Sequence, residues 1–130
     1  MRARRWGVAA LLGVVVAVGL GGCGGGGGNN ENADLTATKL LRFKPDHLSV
    51  RLNRQVTWTF HNDDKSHQHN FTLSYVFTDP TQTQNVSVDV GPGETKDITF
   101  TVTEQPRTGF LTFYCRFHQA DGMNGKITVT

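Results

Sequence analysis

Val86-Ser-Val88-Asp-Val90-Gly91-Pro92-Gly93-Glu94-Thr95-Lys96-Asp97-Ile98-Thr99-Phe100-Thr101-Val102 decides the fold. On each side of the Gly-Pro-Gly-Glu turn, apolar side chains fall at every second position, the period of a strand with one face buried. The same alternation recurs in Val50-Arg-Leu52-Asn, in Val56-Thr-Trp58-Thr-Phe60, from Phe113 onward and in Lys126-Ile127-Thr-Val129 at the carboxyl end. Turn formers separate these runs: Lys44-Pro45-Asp46, Asn62-Asp63-Asp64, Asp79-Pro80-Thr81 and Pro106-Arg-Thr-Gly109. No stretch of ten or more residues in this part of the chain carries helical periodicity, and there is no internal repeat. Short strands at this spacing predict an all-β, antiparallel sandwich or barrel from Leu35 to Thr130, long enough for one core. Trp58, Phe60, Phe100 and Phe113 are its expected large core residues.

The preceding residues are not part of that fold. Met1-Arg-Ala-Arg4-Arg5 and the uncharged run from Trp6 to Leu20 form a basic segment followed by an apolar one, as in a secretory signal. The apolar run is shorter than the ~20 residues of a membrane-spanning helix. Leu20-Gly21-Gly22-Cys23 resembles the lipobox of bacterial lipoproteins, which implies a signal peptide over residues 1–22 and lipidation of Cys23. A free or disulfide-paired Cys23 is the alternative, and Arg4-Arg5 alone makes only a fragment of a twin-arginine signal. Residues 23–34 are then a lipidated cysteine and a Gly/Asn-rich linker, whose coil reaches about 18 Å over Gly24 to Asp34. The expectation is an extracytoplasmic domain anchored to the bacterial membrane by lipid. Removing residues 1–22 takes away Arg2, Arg4 and Arg5, leaving ten basic against eleven acidic side chains, so the formal charge falls from +2 to −1. The remaining Lys and Arg are scattered among acids, which argues against nucleic-acid binding.

With Cys23 lipidated, Cys115 is a lone thiol in a compartment that permits disulfides, and metal ligation accounts for it. Cys115, His118 and Met123 lie within one loop between two strand-like runs. Two His and one Cys in a plane with a weak axial Met is an arrangement that holds copper for one-electron exchange. The second histidine lies upstream in Ser66-His67-Gln68-His69. In an extended segment His67 and His69 point the same way. His69 is favoured, because Asn70-Phe-Thr-Leu continues from it as a strand entering the core, and His67 remains the alternative ligand or a second metal-binding spot. His47 and His61 read as solvated, turn-adjacent residues.

Phe110-Leu-Thr-Phe-Tyr-Cys115-Arg-Phe-His118-Gln-Ala-Asp-Gly-Met123-Asn-Gly-Lys-Ile-Thr-Val129 resembles the carboxyl-terminal signature of the cupredoxins, the type 1 blue-copper proteins, in their plastocyanin and pseudoazurin branch. Phe43-Lys-Pro45, Val56-Thr-Trp58-Thr-Phe60, Asn62-Asp-Asp64, His69-Asn70-Phe71 and Gly91-Pro-Gly-Glu-Thr95 fall in that family's order, so the resemblance spans about Leu40 to Thr130. Asn53-Arg54, Pro106-Arg-Thr-Gly109 and the extra His67 depart from its pattern. The resemblance implies a Greek-key cupredoxin domain with one type 1 copper on His69, Cys115, His118 and Met123. It also implies that Asn70 hydrogen-bonds across the site and orients its ligands.

The expected function is a membrane-tethered carrier of single electrons between a donor and an acceptor redox protein, working as a monomer. An extracytoplasmic copper carrier or store without a redox partner is the alternative. An enzyme is disfavoured: a trinuclear oxidase centre needs a His-Cys-His element, whereas Tyr114 and Arg116 flank Cys115. Four protein ligands also leave no open position for a substrate.

Overall fold

The computed structural model describes residues 28–76, 78 and 83–130. The signal segment 1–22 and Cys23 lie outside the described residues. The strands are β1 (Asn32–Thr38), β2 (Arg42–Lys44), β3 (His47–Val50), β4 (Gln55–Asn62), β5 (His69–Val76), β6 (Thr83–Val90), β7 (Thr95–Thr101), β8 (Phe110–Tyr114) and β9 (Asn124–Val129). Two sheets form, in the orders β2-β1-β4-β7 and β3-β9-β8-β5-β6. The expected all-β sandwich is what is found. Among the described residues β1 with β4 and β3 with β9 pair in parallel, and the other pairings are antiparallel.

Alternation explains the core directly. On β4, Val56, Trp58 and Phe60 turn inward and are fully buried, facing Phe71 and Leu73 of β5 and Phe113 of β8. Trp58 meets Phe100 edge-on at 5.2 Å between ring centroids and Phe71 at 5.9 Å. Such aromatic pairs contribute about 0.5–1.5 kcal/mol beyond the area they bury. Phe113 lies over Gly125, its partner across the β8–β9 ladder, so closely that a Cβ on Gly125 would fall 2.1 Å from the ring.

Two features depart from a simple reading of the strand pattern. β6 and β7 flank the Gly91–Glu94 turn yet belong to different sheets, so this turn crosses from one layer to the other. Asn62, buried at the end of β4, holds the crossing: its side-chain amide donates to the carbonyls of Val90 and Gly91, and its backbone N–H donates to that of Glu94.

The second departure is a correction. The flexible linker expected to run from residue 23 to Asp34 ends sooner, because β1 begins at Asn32 and Leu35 and Ala37 are fully buried. Asn30 already belongs to the fold, its carbonyl accepting from the Trp58 indole N–H and its side chain from the Ser49 N–H. Glu31 accepts from the backbone and the guanidinium of Arg51. The Asn- and Glu-rich composition hides an Ala33-Leu35-Ala37 alternation beneath polar residues, and hydrogen bonding rather than hydrophobicity pins its start.

Candidate metal centre

The site forms at one end of the sandwich, where β5 begins and β8 ends. His69 is the first residue of β5, and pairing with Val90 of β6 fixes its backbone. Cys115 follows β8 directly. From there the chain makes a loop closed on itself: the Cys115 N–H donates to the Met123 carbonyl at 3.0 Å, and the His118 carbonyl accepts from both Asp121 and Met123. A short 3-10 turn over Gln119–Asp121 ends at Gly122, whose φ of 75° is a left-handed conformation suited to glycine. β9 starts one residue beyond Met123. Both ends of the ligand loop are therefore built into adjacent, paired strands.

Cys115 Sγ lies 3.5 Å from Nδ1 of His118 and 3.9 Å from Nδ1 of His69. The three ligand atoms lie within 4.8 Å of one another. A first-row ion sits about 2.3 Å from a thiolate sulfur and about 2.0 Å from an imidazole nitrogen. At a trigonal angle those lengths separate S and N by about 3.7 Å, so both observed spacings suit one ion held by all three atoms. His69, Cys115 and Met123 are fully buried and His118 is half-buried. A dry, thiolate-bearing cradle with a thioether on the same loop suits copper better than a hard, oxygen-seeking cation.

The structure brings His69 to the sulfur and leaves His67 outside. Since β5 starts at His69, His67 is not on the strand, and its side chain is 57% exposed. Its ring reaches His118 only at 5.9 Å between centroids, against 4.8 Å for His69. Asn70 is fully buried, its Oδ1 accepting from the Thr72 hydroxyl and, at 3.4 Å, from the Arg116 N–H next to Cys115. Its amide donates to Ser87 and to Asp89, and Asp89 in turn pairs with the Arg116 guanidinium at 2.5 Å. The strand pair β5–β6 is thereby tied to the start of the ligand loop. His47 and His61 are remote, bonded to Thr128 and to Thr95 and Asp34 respectively.

One further side chain bonded to a ligand belongs, in the sequence, merely to the Asn62-Asp63-Asp64 turn. Asp64, with a side chain only 3% exposed, places Oδ2 at 3.2 Å from Nε2 of His69 and 2.7 Å from Nδ1 of His67. A hydrogen bond from the Ser66 backbone N–H, with those from His67 and His69, holds its carboxyl well below the usual range despite the opposing cost of burial. Burial in turn pushes His69 below the ordinary histidine value, against the pull of Asp64. A neutral imidazole protonated on Nε2, toward the carboxylate, leaves Nδ1 with a free lone pair facing Cys115. Its only sequence signal was an acid three and five residues before two histidines.

Solved structures share this fold. The auracyanin of the photosynthetic bacterium Roseiflexus castenholzii, solved in its dithionite-reduced state, superposes with a TM-score of 0.66 at 24% identity, covering 79% of this chain and 99% of that one. Auracyanin A, a blue copper protein of Chloroflexus aurantiacus, gives a TM-score of 0.64 at 19% identity over 76% of this chain and 98% of that one. At these identities the likeness speaks for the fold. No curated protein matches the chain significantly in sequence. The model of the copper binding proteins of the plastocyanin/azurin family matches residues 30–130, starting at the Asn30 that anchors the fold and taking in all four ligands. The chain belongs to that copper-binding family, and His69, Cys115, His118 and Met123 form its type 1-like copper site.

Proposed function

We propose that this chain is a membrane-tethered, extracytoplasmic electron carrier whose bound copper cycles between Cu(I) and Cu(II). The observation that carries the reading is the uneven exposure of the ligands. His69, Cys115 and Met123 are sealed from water, and His118 alone reaches the surface. β5 carries His69, and the ends of β8 and β9 flank Cys115 and Met123, so the buried ligands are held against the sheet, while the His118 ring offers a short way from the site to a docked protein. Phe117 beside it is 44% exposed, with the Arg116 guanidinium 4.8 Å above its ring. Leu40, 72% exposed, lies on the neighbouring loop that Arg42 ties to the Asp121 carbonyl. These apolar edges suit brief contact with a donor and an acceptor redox protein. With all four ligands engaged no position is left for a substrate, which favours a carrier over an enzyme.

The tether rests on the sequence: a cleavable apolar segment, a lipobox-like Leu20-Gly-Gly-Cys23 and a short glycine spacer. Copper loading followed by repeated reduction and reoxidation tests the carrier reading. An intense visible band that disappears and returns quickly is the expected result. A colourless protein that holds only Cu(I) moves the reading to copper carriage or storage. For the tether, Cys23→Ser is expected to release the protein from the membrane fraction; unchanged retention without lipid on the mature amino terminus overturns it.

A further inference from the structure

We propose that Asp64 is a positioning residue of the copper site, its carboxylate fixing which nitrogen of His69 faces the metal and biasing bound copper toward Cu(II). The inference rests on the copper site itself and not on the electron-carrier reading. Its basis is a division of labour between the two carboxylate oxygens. Oδ1 shapes the turn, accepting from the backbone N–H of Ser66 at 2.8 Å and, more weakly, of His67 at 3.3 Å. An asparagine would serve that purpose equally well. Oδ2 takes no backbone N–H and receives two imidazoles instead, Nδ1 of His67 at 2.7 Å and Nε2 of His69 at 3.2 Å.

The carboxylate is held in place independently of the rings. The Asp64 backbone N–H donates to Oδ1 of the buried Asn62 at 2.9 Å, and the Asn62 amide also donates to the His67 carbonyl at 2.8 Å. Asp64 is thus locked by the segment that closes β4, and it presents a fixed acceptor to the side of His69 remote from Cys115. A carboxylate there keeps the proton on Nε2 and makes the imidazole a stronger donor through Nδ1. A full negative charge one ring away from the metal, in a buried environment, also stabilises the more highly charged oxidation state. Both effects favour Cu(II) and so lower the reduction potential.

Asp64→Asn separates this role from turn formation. The amide keeps an oxygen for Ser66 but opposes an N–H to the His69 N–H. In the copper-loaded full-length chain we expect a retained fold, a Cu(II) affinity lower by about 10- to 100-fold and a smaller loss for Cu(I). Each tenfold of differential loss raises the potential of a one-electron couple by about 59 mV. An unchanged or lowered potential in the folded, copper-bound variant overturns the proposal. A second measurement needs neither copper nor a variant: nitrogen NMR of the metal-free wild type is expected to show His69 protonated on Nε2, and a proton on Nδ1 overturns it. If the wild type takes up no copper, the metal assignment fails, whereas the tautomer still decides the role of Asp64.

Discussion

The two histidines of the site sit in opposite settings. His69 opens a strand paired on both sides, has no exposed surface and is hydrogen-bonded to a buried carboxylate. His118 sits on a loop, half-exposed, between Phe117 and a short 3-10 turn. Both present Nδ1 to the same sulfur. The contrast separates two tasks that one ligand cannot perform well together. A ligand that tunes the metal needs a dry, fixed environment, and one that meets a partner needs an open face. The buried His69 therefore belongs to the sheet half of the site, and the accessible His118 to the loop half, which also carries the buried Met123.

Cys115 joins the halves, so its loss has the largest effect. Cys115→Ser is expected to abolish the visible band of the copper-loaded protein while far-UV circular dichroism still reports the β-fold; a persisting band breaks the assignment of the thiolate. His69→Ala is expected to destroy the type 1 spectrum, and His67→Ala to leave it nearly intact. The reverse pattern would transfer the buried role to His67.

Met123→Leu is a milder probe of the loop half. Copper stays bound through the three stronger ligands, and the potential rises by roughly one decade of the Cu(I)/Cu(II) ratio, about 59 mV. Losing a weak axial thioether disfavours Cu(II) more than Cu(I), so voltammetry showing a fall would remove Met123 from the site.

Gly125→Ala acts on the root of that loop. The new methyl group meets the Phe113 ring, and overpacking of this kind costs about 1–3 kcal/mol, read as a lower denaturation midpoint. Glu31→Gln touches neither half and is expected to have the smallest effect, a slight fall in Tm at neutral pH without a change in potential. The side-chain hydrogen bond from Arg51 lowers the Glu31 pKa below its ordinary 4.5. Its stabilisation is therefore present above that value and lost as pH falls through the folded one, so wild type and variant should converge in acid.

The loop half was almost wholly legible in the sequence, because Cys115, His118 and Met123 fall within nine residues and no strand pairing is needed to bring them together. The strand class was legible too, since alternation is a local property. What stayed hidden depends on contacts between distant segments. Period two gave His67 and His69 the same direction, and only the start of β5 at His69 separates them. Asp64 looked like any turn acid, because a side chain's remote oxygen leaves no mark on local pattern. The turn at Gly91–Glu94 gave no sign that its flanking strands part company, and β1 was obscured because its anchors are hydrogen bonds that Asn30 and Glu31 accept from Trp58 and Arg51.

The parallel ladder from Asn32↔Thr57 to Ala37↔Asn62 also determines how the domain bears load. A pull on the amino end along β1 strains those six registered positions together, in shear, where an antiparallel edge hairpin would open like a zip, one rung after another. β1 and β4 are the inner strands of their sheet, and the Trp58 indole grips the chain just ahead of the ladder. Whatever the amino terminus is fastened to, the domain hangs from its middle. Drag or collision at the copper end thus reaches the amino terminus through the two inner strands of one sheet.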